Sequence, residues 1–245
     1  MASAQALATK FRAPKYAALH LMLATWLRRY PVAQPYIYVT LGGTELKDIE
    51  SMFFIDQPLI KRAISFEVHP ERFKMACAAR DRLTGIGRPV EVLRRDIFDY
   101  TREDDARHLF FWDLPGIFDI GYKESFKRML RNGIVREGDT LFITSYLVER
   151  RGYAKAFEIF QSEFDALSIT ETKEKHACYN MAHPFFTLRR GLVDAGLSGE
   201  MSVVPIGFID YRGTSHMGLY GYALEKGMTT FNSVVKSIPT FQILP

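Results

Sequence analysis

Two adjacent glycines, Gly42-Gly43, and three separated acids, Glu67, Asp96 and Asp113, are the residues whose types and spacing could do chemistry. Each closes a short apolar run: Tyr36 to Leu41, Ala63 to Val68, Val90 to Leu93 and His108 to Trp112. Runs of this length bounded by turn signals read as buried strands. In an open α/β sheet, ligands bind at the carboxyl edge, where such strands end. Glycine there lets the backbone approach a ligand closely. An acid ending the second strand can accept from two ribose hydroxyls, and one after the third can accept from an adenine amino group. Asp113 could orient an amine or accept its proton. Singly, each has a plainer role: a turn, a cap for the helix opening at Pro70, a turn residue, a partner for an arginine. The ordered set points to a nucleotide-like pocket.

The elements that must position these groups alternate. A helical period runs from Lys15 to Tyr30 through Tyr16, Leu19, Leu23, Trp26 and Leu27, with Arg28-Arg29 at the end where the helix dipole favours cations. Pro31 and Pro35 bracket a linker. After the first strand, Glu45–Met52 and Pro58–Ala63 read as short helices, and a helix opens at Pro70 and ends at Gly85. Lys123–Leu130 and an amphipathic stretch through Tyr153, Phe157, Phe160, Phe164 and Leu167 are further helices, with Thr140–Ser145 a strand between them. Ser168–His183 reads as irregular, Phe185–Leu197 as a helix, and Val203–Ile209 and Met217–Leu224 as a closing hairpin. Strands alternating with helices require parallel pairing through right-handed crossovers. The expected architecture is a doubly wound, mostly parallel seven-stranded sheet with a late antiparallel strand at its far end. Residues 1–35 form a basic arm and helix, 36–227 the α/β domain, and 228–245 a tail.

Composition sets the bounds. The chain has 245 residues, 47% apolar and 24% charged, which suits one globular α/β domain. No run of 18 apolar residues suggests a membrane span, and Met1–Thr9 lacks the basic start of a signal peptide. Cys77 and Cys178 form no metal or CxxC spacing, so a reducing cytoplasm is expected. His176, Cys178 and His183 lie close together, but no fourth ligand accompanies them and no metal site is expected. The net charge is +4, yet residues 1–35 carry five cations and no acid, leaving −1 for the rest. Such a segment is either a solvated helix flank or a contact for an anionic partner such as nucleic acid.

The arrangement resembles the class I S-adenosylmethionine-dependent methyltransferases over residues 36 to 225. The resemblance implies a Rossmann-like methyltransferase fold and S-adenosylmethionine as cofactor. Leu41, Gly42, Gly43 and Thr44 would wrap its methionine part, Glu67 would bind ribose, and Asp96 and Ile97 would meet adenine. Asp113 would stand near the transferred methyl, with Leu114, Pro115 and Gly116 facing substrate. Tyr179, Asn180 and His183, in the segment overhanging that edge, are further substrate candidates. A narrower likeness, to the three-Cys-motif partner proteins, rests on the basic helix with Lys15 and on Trp112-Asp-Leu-Pro-Gly116.

The loop departs from the family at Thr44-Glu45, where a third small residue is usual. Glu45 there either accepts an ammonium or crowds the pocket. Two other classes suit parts of the sequence. A non-catalytic partner or nucleic-acid adaptor of the same fold fits the altered loop and basic start. A nicotinamide oxidoreductase would also use glycine and acid at these strand ends, but the G-x-G-x-x-G fingerprint is missing.

Overall fold

The computed structural model describes residues 14–30, 34–53, 59–114, 116–118, 120–147, 153–212, 216–227, 235 and 237–243. The helices are α1 (Pro14–Arg29), α2 (Lys47–Phe53), α3 (Pro70–Gly85), α4 (Lys123–Arg131), α5 (Tyr153–Ile159), α6 (Gln161–Ala166) and α7 (Thr172–Ala195). The strands are β1 (Tyr36–Thr40), β2 (Ile60–Phe66), β3 (Val90–Leu93), β4 (His108–Asp113), β5 (Thr140–Tyr146), β6 (Met201–Arg212), β7 (His216–Lys226) and β8 (Thr240–Ile243).

They form one eight-stranded sheet in the order β3-β2-β1-β4-β5-β7-β6-β8. β1 pairs in parallel with both β2 and β4, and the chain winds outward in opposite directions from there. That reversal is the topological switch point. The register keeps the strand ends level: Thr40 sits opposite Ser65 and Phe111, Phe66 opposite Leu93, and Asp113 opposite Thr144.

Alternation within each strand divides the core. Tyr36, Tyr38, Leu109, Phe111 and Phe142 face α1, α2 and α3, while Ile37, Val39, Phe110, Trp112 and Ile143 face the layer of α4 and α7. On α1, Ala18, Leu19, Met22, Leu23 and Trp26 are buried. α1 comes close because β7 offers a glycine beneath it: a Cβ at Gly221 would lie 2.5 Å from Met22 Sδ and 3.2 Å from Ile206 Cβ.

Several expectations need correction. The sheet has eight strands, because β8, within the segment read as a tail, pairs in parallel with β6. The antiparallel strand is β7, which lies inside the sheet between β5 and β6 rather than at its far end. Pro58 lies outside the described residues, and the rest of the stretch read as a helix to Ala63 does not form one: Ile60 begins β2, whose buried Ala63 and Ile64 pair with β1 and β3. The stretch from Tyr153 to Leu167 is interrupted at Phe160, which leaves the helical region with φ −106° and ψ 21°. Phe160 and Phe164 nevertheless face the core.

Ser168–His183 is not irregular. Most of it belongs to α7, which continues straight through Pro184. A proline inside a helix leaves the carbonyl four residues earlier without its usual donor. Here that carbonyl belongs to Asn180, and the Tyr220 hydroxyl of β7 donates to it instead. The tertiary contact keeps intact a helix that its own sequence would break.

Candidate functional site

The turn after β1 is shaped by what lies under it. The Gly42 amide donates to Ser65 Oγ at 3.2 Å. A Cβ at Gly42 would lie 2.8 Å from that oxygen, 3.0 Å from Leu46 Cδ2 and 3.2 Å from Asp48 Oδ1, so no other residue fits without displacement. Gly43 has φ +61° and Leu46 φ +51°, the latter unusual for a branched side chain and held there by complete burial. This left-handed step aims the start of α2 back under β1.

Asp48 is the consequence. Its side chain is buried, and Oδ2 accepts from the Tyr38 hydroxyl at 3.0 Å and the Thr40 hydroxyl at 2.6 Å. Oδ1 is also buried and has no hydrogen-bond partner. Burial pushes this carboxyl above its ordinary range, opposed by the Thr40 hydrogen bond and the field of Lys15. Glu45 behaves oppositely. Its side chain is exposed and pairs with Lys47, which holds its carboxyl below the usual range. It turns to solvent rather than into the turn.

At the end of β4, Asp113 is held from two sides. Thr144 Oγ1 of β5 donates to Oδ1 at 2.6 Å, and Lys15 of α1 forms an ion pair with Oδ2. The Lys15 ammonium also lies 5.6 Å from the Phe111 ring centroid, two residues back along β4. Neighbouring Tyr16 has its hydroxyl pKa raised, first by burial and then by the fields of Asp48, Asp113, Glu45 and Glu50. The α1–β1–β4 corner therefore gathers several acids around one lysine.

Glu67 and Asp96 lie where their strand ends put them, and each also does local work. Glu67 accepts from the His69 amide at 2.9 Å, just ahead of α3. Asp96 accepts from the Phe98 amide at 2.9 Å and caps a short 3₁₀ helix, Ile97–Asp99. Ile97 is buried, whereas Asp96 is exposed.

The remaining candidates scatter. Leu114 is buried, Pro115 lies outside the described residues, and the Gly116 carbonyl accepts from the Tyr146 amide at 3.1 Å, tying this loop to β5. Tyr179 and His183 are buried in α7 with their rings stacked 4.7 Å apart, and Asn180 is half-buried beside them. His183 Nδ1 donates to the Tyr179 carbonyl at 2.8 Å, and Nε2 stands 3.3 Å from Ser145 Oγ. That same oxygen accepts from the Phe118 amide at 2.8 Å, so His183 supports the segment after β4 from beneath. Burial lowers its pKa to about 4, so it is neutral near pH 7. No group of three or more His, Cys, Asp or Glu among the described residues is arranged to hold a metal ion.

Lys15, Asp48, Ser65 and Thr144 escaped the reading of strand ends. Lys15 had a signal: it lies one turn before Leu19 in the apolar stripe of α1, where a cation must find a partner. Asp48 lies in the polar stretch after the glycine turn, and nothing in the sequence marks it as buried.

The level strand ends and the strand order define a Rossmann-like methyltransferase fold. No protein-family model and no curated protein matches this sequence. Solved structures do match. A protein from Listeria monocytogenes assigned to the class I S-adenosylmethionine-dependent methyltransferases superposes with a TM-score of 0.53 at 11% identity, covering 94% of this chain and 65% of its own. An S-adenosylmethionine-dependent methyltransferase from Clostridium acetobutylicum superposes with a TM-score of 0.50 at 11% identity, covering 86% of this chain and 92% of its own. The chain thus spans just under two thirds of the Listeria protein. At such identities the likeness establishes the fold.

Proposed function

We propose that this protein is an S-adenosylmethionine-dependent methyltransferase that holds its acceptor beside Asp113. The observation that carries this reading is the sequence of groups along one sheet edge: the Gly42 turn after β1, Glu67 after β2, Asp96 after β3 and Asp113 ending β4. The residues present fit the cofactor. Gly42 leaves bare backbone where a Cβ would collide, and Asp48 keeps a buried oxygen without a hydrogen bond beneath the turn. Leu41, Gly42, Gly43 and Thr44 would take the methionine end, Glu67 the ribose hydroxyls, and Asp96 with Ile97 the adenine. Glu45, turned to solvent, leaves that space open.

The cofactor, when bound, supplies a sulfonium-activated methyl group. The chain's own contribution is to orient and desolvate. Thr144 fixes the Asp113 carboxylate, which would accept a hydrogen bond, or the proton, from an acceptor amine. Leu114 offers an apolar wall next to it. Lys15 holds the second Asp113 oxygen and must share it or give it up for that role. The narrower likeness to the three-Cys-motif partner branch gains support here, because Lys15 and the Trp112–Gly116 segment carry that likeness and meet in one ion pair.

Calorimetry with S-adenosylmethionine, S-adenosylhomocysteine and NAD tests the reading. We expect both methionine nucleosides to bind, NAD not to bind, and Glu67→Ala to weaken binding at least tenfold. Binding of neither nucleoside, or indifference to Glu67→Ala, would refute it.

One observation favours a second reading, a non-catalytic partner or nucleic-acid adaptor: both Asp113 oxygens are already engaged. For a nucleic-acid partner, Arg28 is exposed, but Lys15 and Arg29 are used internally, Arg29 donating to the Pro205 carbonyl at 3.1 Å. Lys10 and Arg12 lie outside the described residues. Nucleic-acid affinity that falls steeply with salt and weakens on deleting residues 1–13, without nucleoside binding, would establish the adaptor.

A further inference from the structure

We propose that Lys15 is itself a methyl acceptor, so that the protein modifies its own first helix at the Asp113 end of the sheet edge. This rests on the methyltransferase reading above and gives its acceptor site a first occupant, a primary alkyl amine.

Three observations converge. First, the amine already stands where an acceptor amine would be held. Asp113 is the carboxylate assigned to orient the acceptor, and Lys15 bonds its Oδ2 while Thr144 secures Oδ1 at 2.6 Å. Among the described residues, no other lysine pairs with an acid that ends a strand: Lys47 pairs with Glu45, Lys74 with Glu71, Lys123 with Asp194 and Lys127 with Glu124. Second, the surroundings suit an alkyl ammonium before and after methylation. Lys15 Nζ lies 5.6 Å from the Phe111 ring centroid and 5.9 Å from that of Tyr16. Aromatic faces attract an ammonium without needing its N–H groups, so they hold an N-methylated product as well. The Lys15 and Asp113 side chains are 30% and 27% exposed, which leaves the amine accessible at the edge. Third, helix stability does not account for a lysine at this position. Lys15 is in the first turn of α1, where the positive end of the helix dipole disfavours a cation, whereas Arg28 and Arg29 occupy the favourable last turn.

The transfer balances within this site. Lys15 passes one ammonium proton to the Asp113 carboxylate, which releases it to solvent. The freed lone pair forms the new N–C bond to the sulfonium methyl as its S–C bond breaks. The electron pair of that bond stays on sulfur, leaving a neutral thioether, and the positive charge passes to the methylated nitrogen.

The full-length protein is incubated with S-adenosylmethionine and its peptides are mapped by mass spectrometry. Methylation is expected at Lys15 and not at the exposed Lys74, and Lys15→Arg should abolish it. A second measurement reads binding alone. Sinefungin carries an amine where S-adenosylmethionine has its sulfonium methyl, so its ammonium should meet that of Lys15 in the wild type. Lys15→Met should therefore tighten sinefungin relative to S-adenosylhomocysteine by at least about tenfold in calorimetry. An unmethylated Lys15 in a protein that binds S-adenosylhomocysteine overturns the assignment and leaves the cofactor reading intact. An unchanged sinefungin ratio, or methyl groups spread equally over the exposed lysines, overturns it as well. Should Lys15→Met fail to fold, peptide mapping of the wild type decides alone. If neither nucleoside binds, both readings fall together.

Discussion

Lys15 and Asp113 lie 98 residues apart and form one ion pair at the end of β4. The pair joins the first described helix to the strand end on which the proposed chemistry depends. It is partly exposed, at 30% and 27% for the two side chains, so its stabilising effect is modest. A double-mutant cycle with Lys15→Met and Asp113→Asn, read by urea denaturation, should give a coupling of about 0.5–1.5 kcal/mol. A coupling indistinguishable from zero would remove the pair from solution.

That coupling should depend on the packing of α1. Gly221→Ala places a methyl against Met22 and Ile206 and should destabilise the protein by about 1–3 kcal/mol. The Lys15–Asp113 coupling should shrink in that background, because α1 must lift to accommodate the methyl. Full coupling in Gly221→Ala would mean that Met22 alone moves.

The continuity of α7 through Pro184 has a paired test. Tyr220→Phe removes the donor to the Asn180 carbonyl and should cost about 1–2 kcal/mol. Pro184→Ala restores a backbone N–H to the same carbonyl, so the double variant should recover much of that loss. Additive losses would show that Tyr220 stabilises the protein by another contact.

Acid should destabilise the protein through His183. Burial lowers its folded pKa to about 4, whereas in the unfolded chain the imidazole titrates near its ordinary value of about 6.5. Between these values the unfolded state binds the extra proton, so stability is fully present above about pH 6.5 and falls as pH drops towards 4. The effect of this one group is about 3 kcal/mol at the acid limit. His108, also lowered to about 4 by burial and then by the field of Arg102, acts in the same window. Asp48 and Asp139, raised by burial, act with the opposite sign as pH rises above 3.8. Urea midpoints measured from pH 7 to 5 should therefore fall less in His183→Gln than in the wild type. Parallel curves would contradict the assignment.

Gly42→Ala tests the turn itself. The new methyl would crowd Ser65, Leu46 and Asp48, which should destabilise the fold by about 1–3 kcal/mol and reduce nucleoside affinity by more than tenfold. Ser65→Ala in the same chain removes the nearest obstacle and should recover part of the stability. A Gly42→Ala variant with wild-type melting and binding would show that the turn shifts freely.

Much of this protein was legible in the residues alone. Apolar runs ending in Gly42-Gly43, Glu67, Asp96 and Asp113 specified parallel strands that bring these residues to one edge, because burial on both faces demands continuous apolar strands. The stripe of Leu19, Leu23 and Trp26 likewise specified α1. What the sequence left open was decided by contacts between distant segments. Pro184 signals a break, and only Tyr220, on another strand, supplies the donor that keeps α7 whole. Thr240–Ile243 has no strong pattern and becomes a strand because β6 offers an edge to pair with. Nothing local marks Asp48 as buried, and the left-handed Leu46 together with Tyr38 and Thr40 holds it under the turn. Periodicity and turn chemistry are local, so the sequence determined seven of the eight strands and the acids near their ends. Side-chain partners across the sheet edge are non-local, so only the tertiary structure brought Lys15 to Asp113 and left one oxygen of Asp48 without a donor.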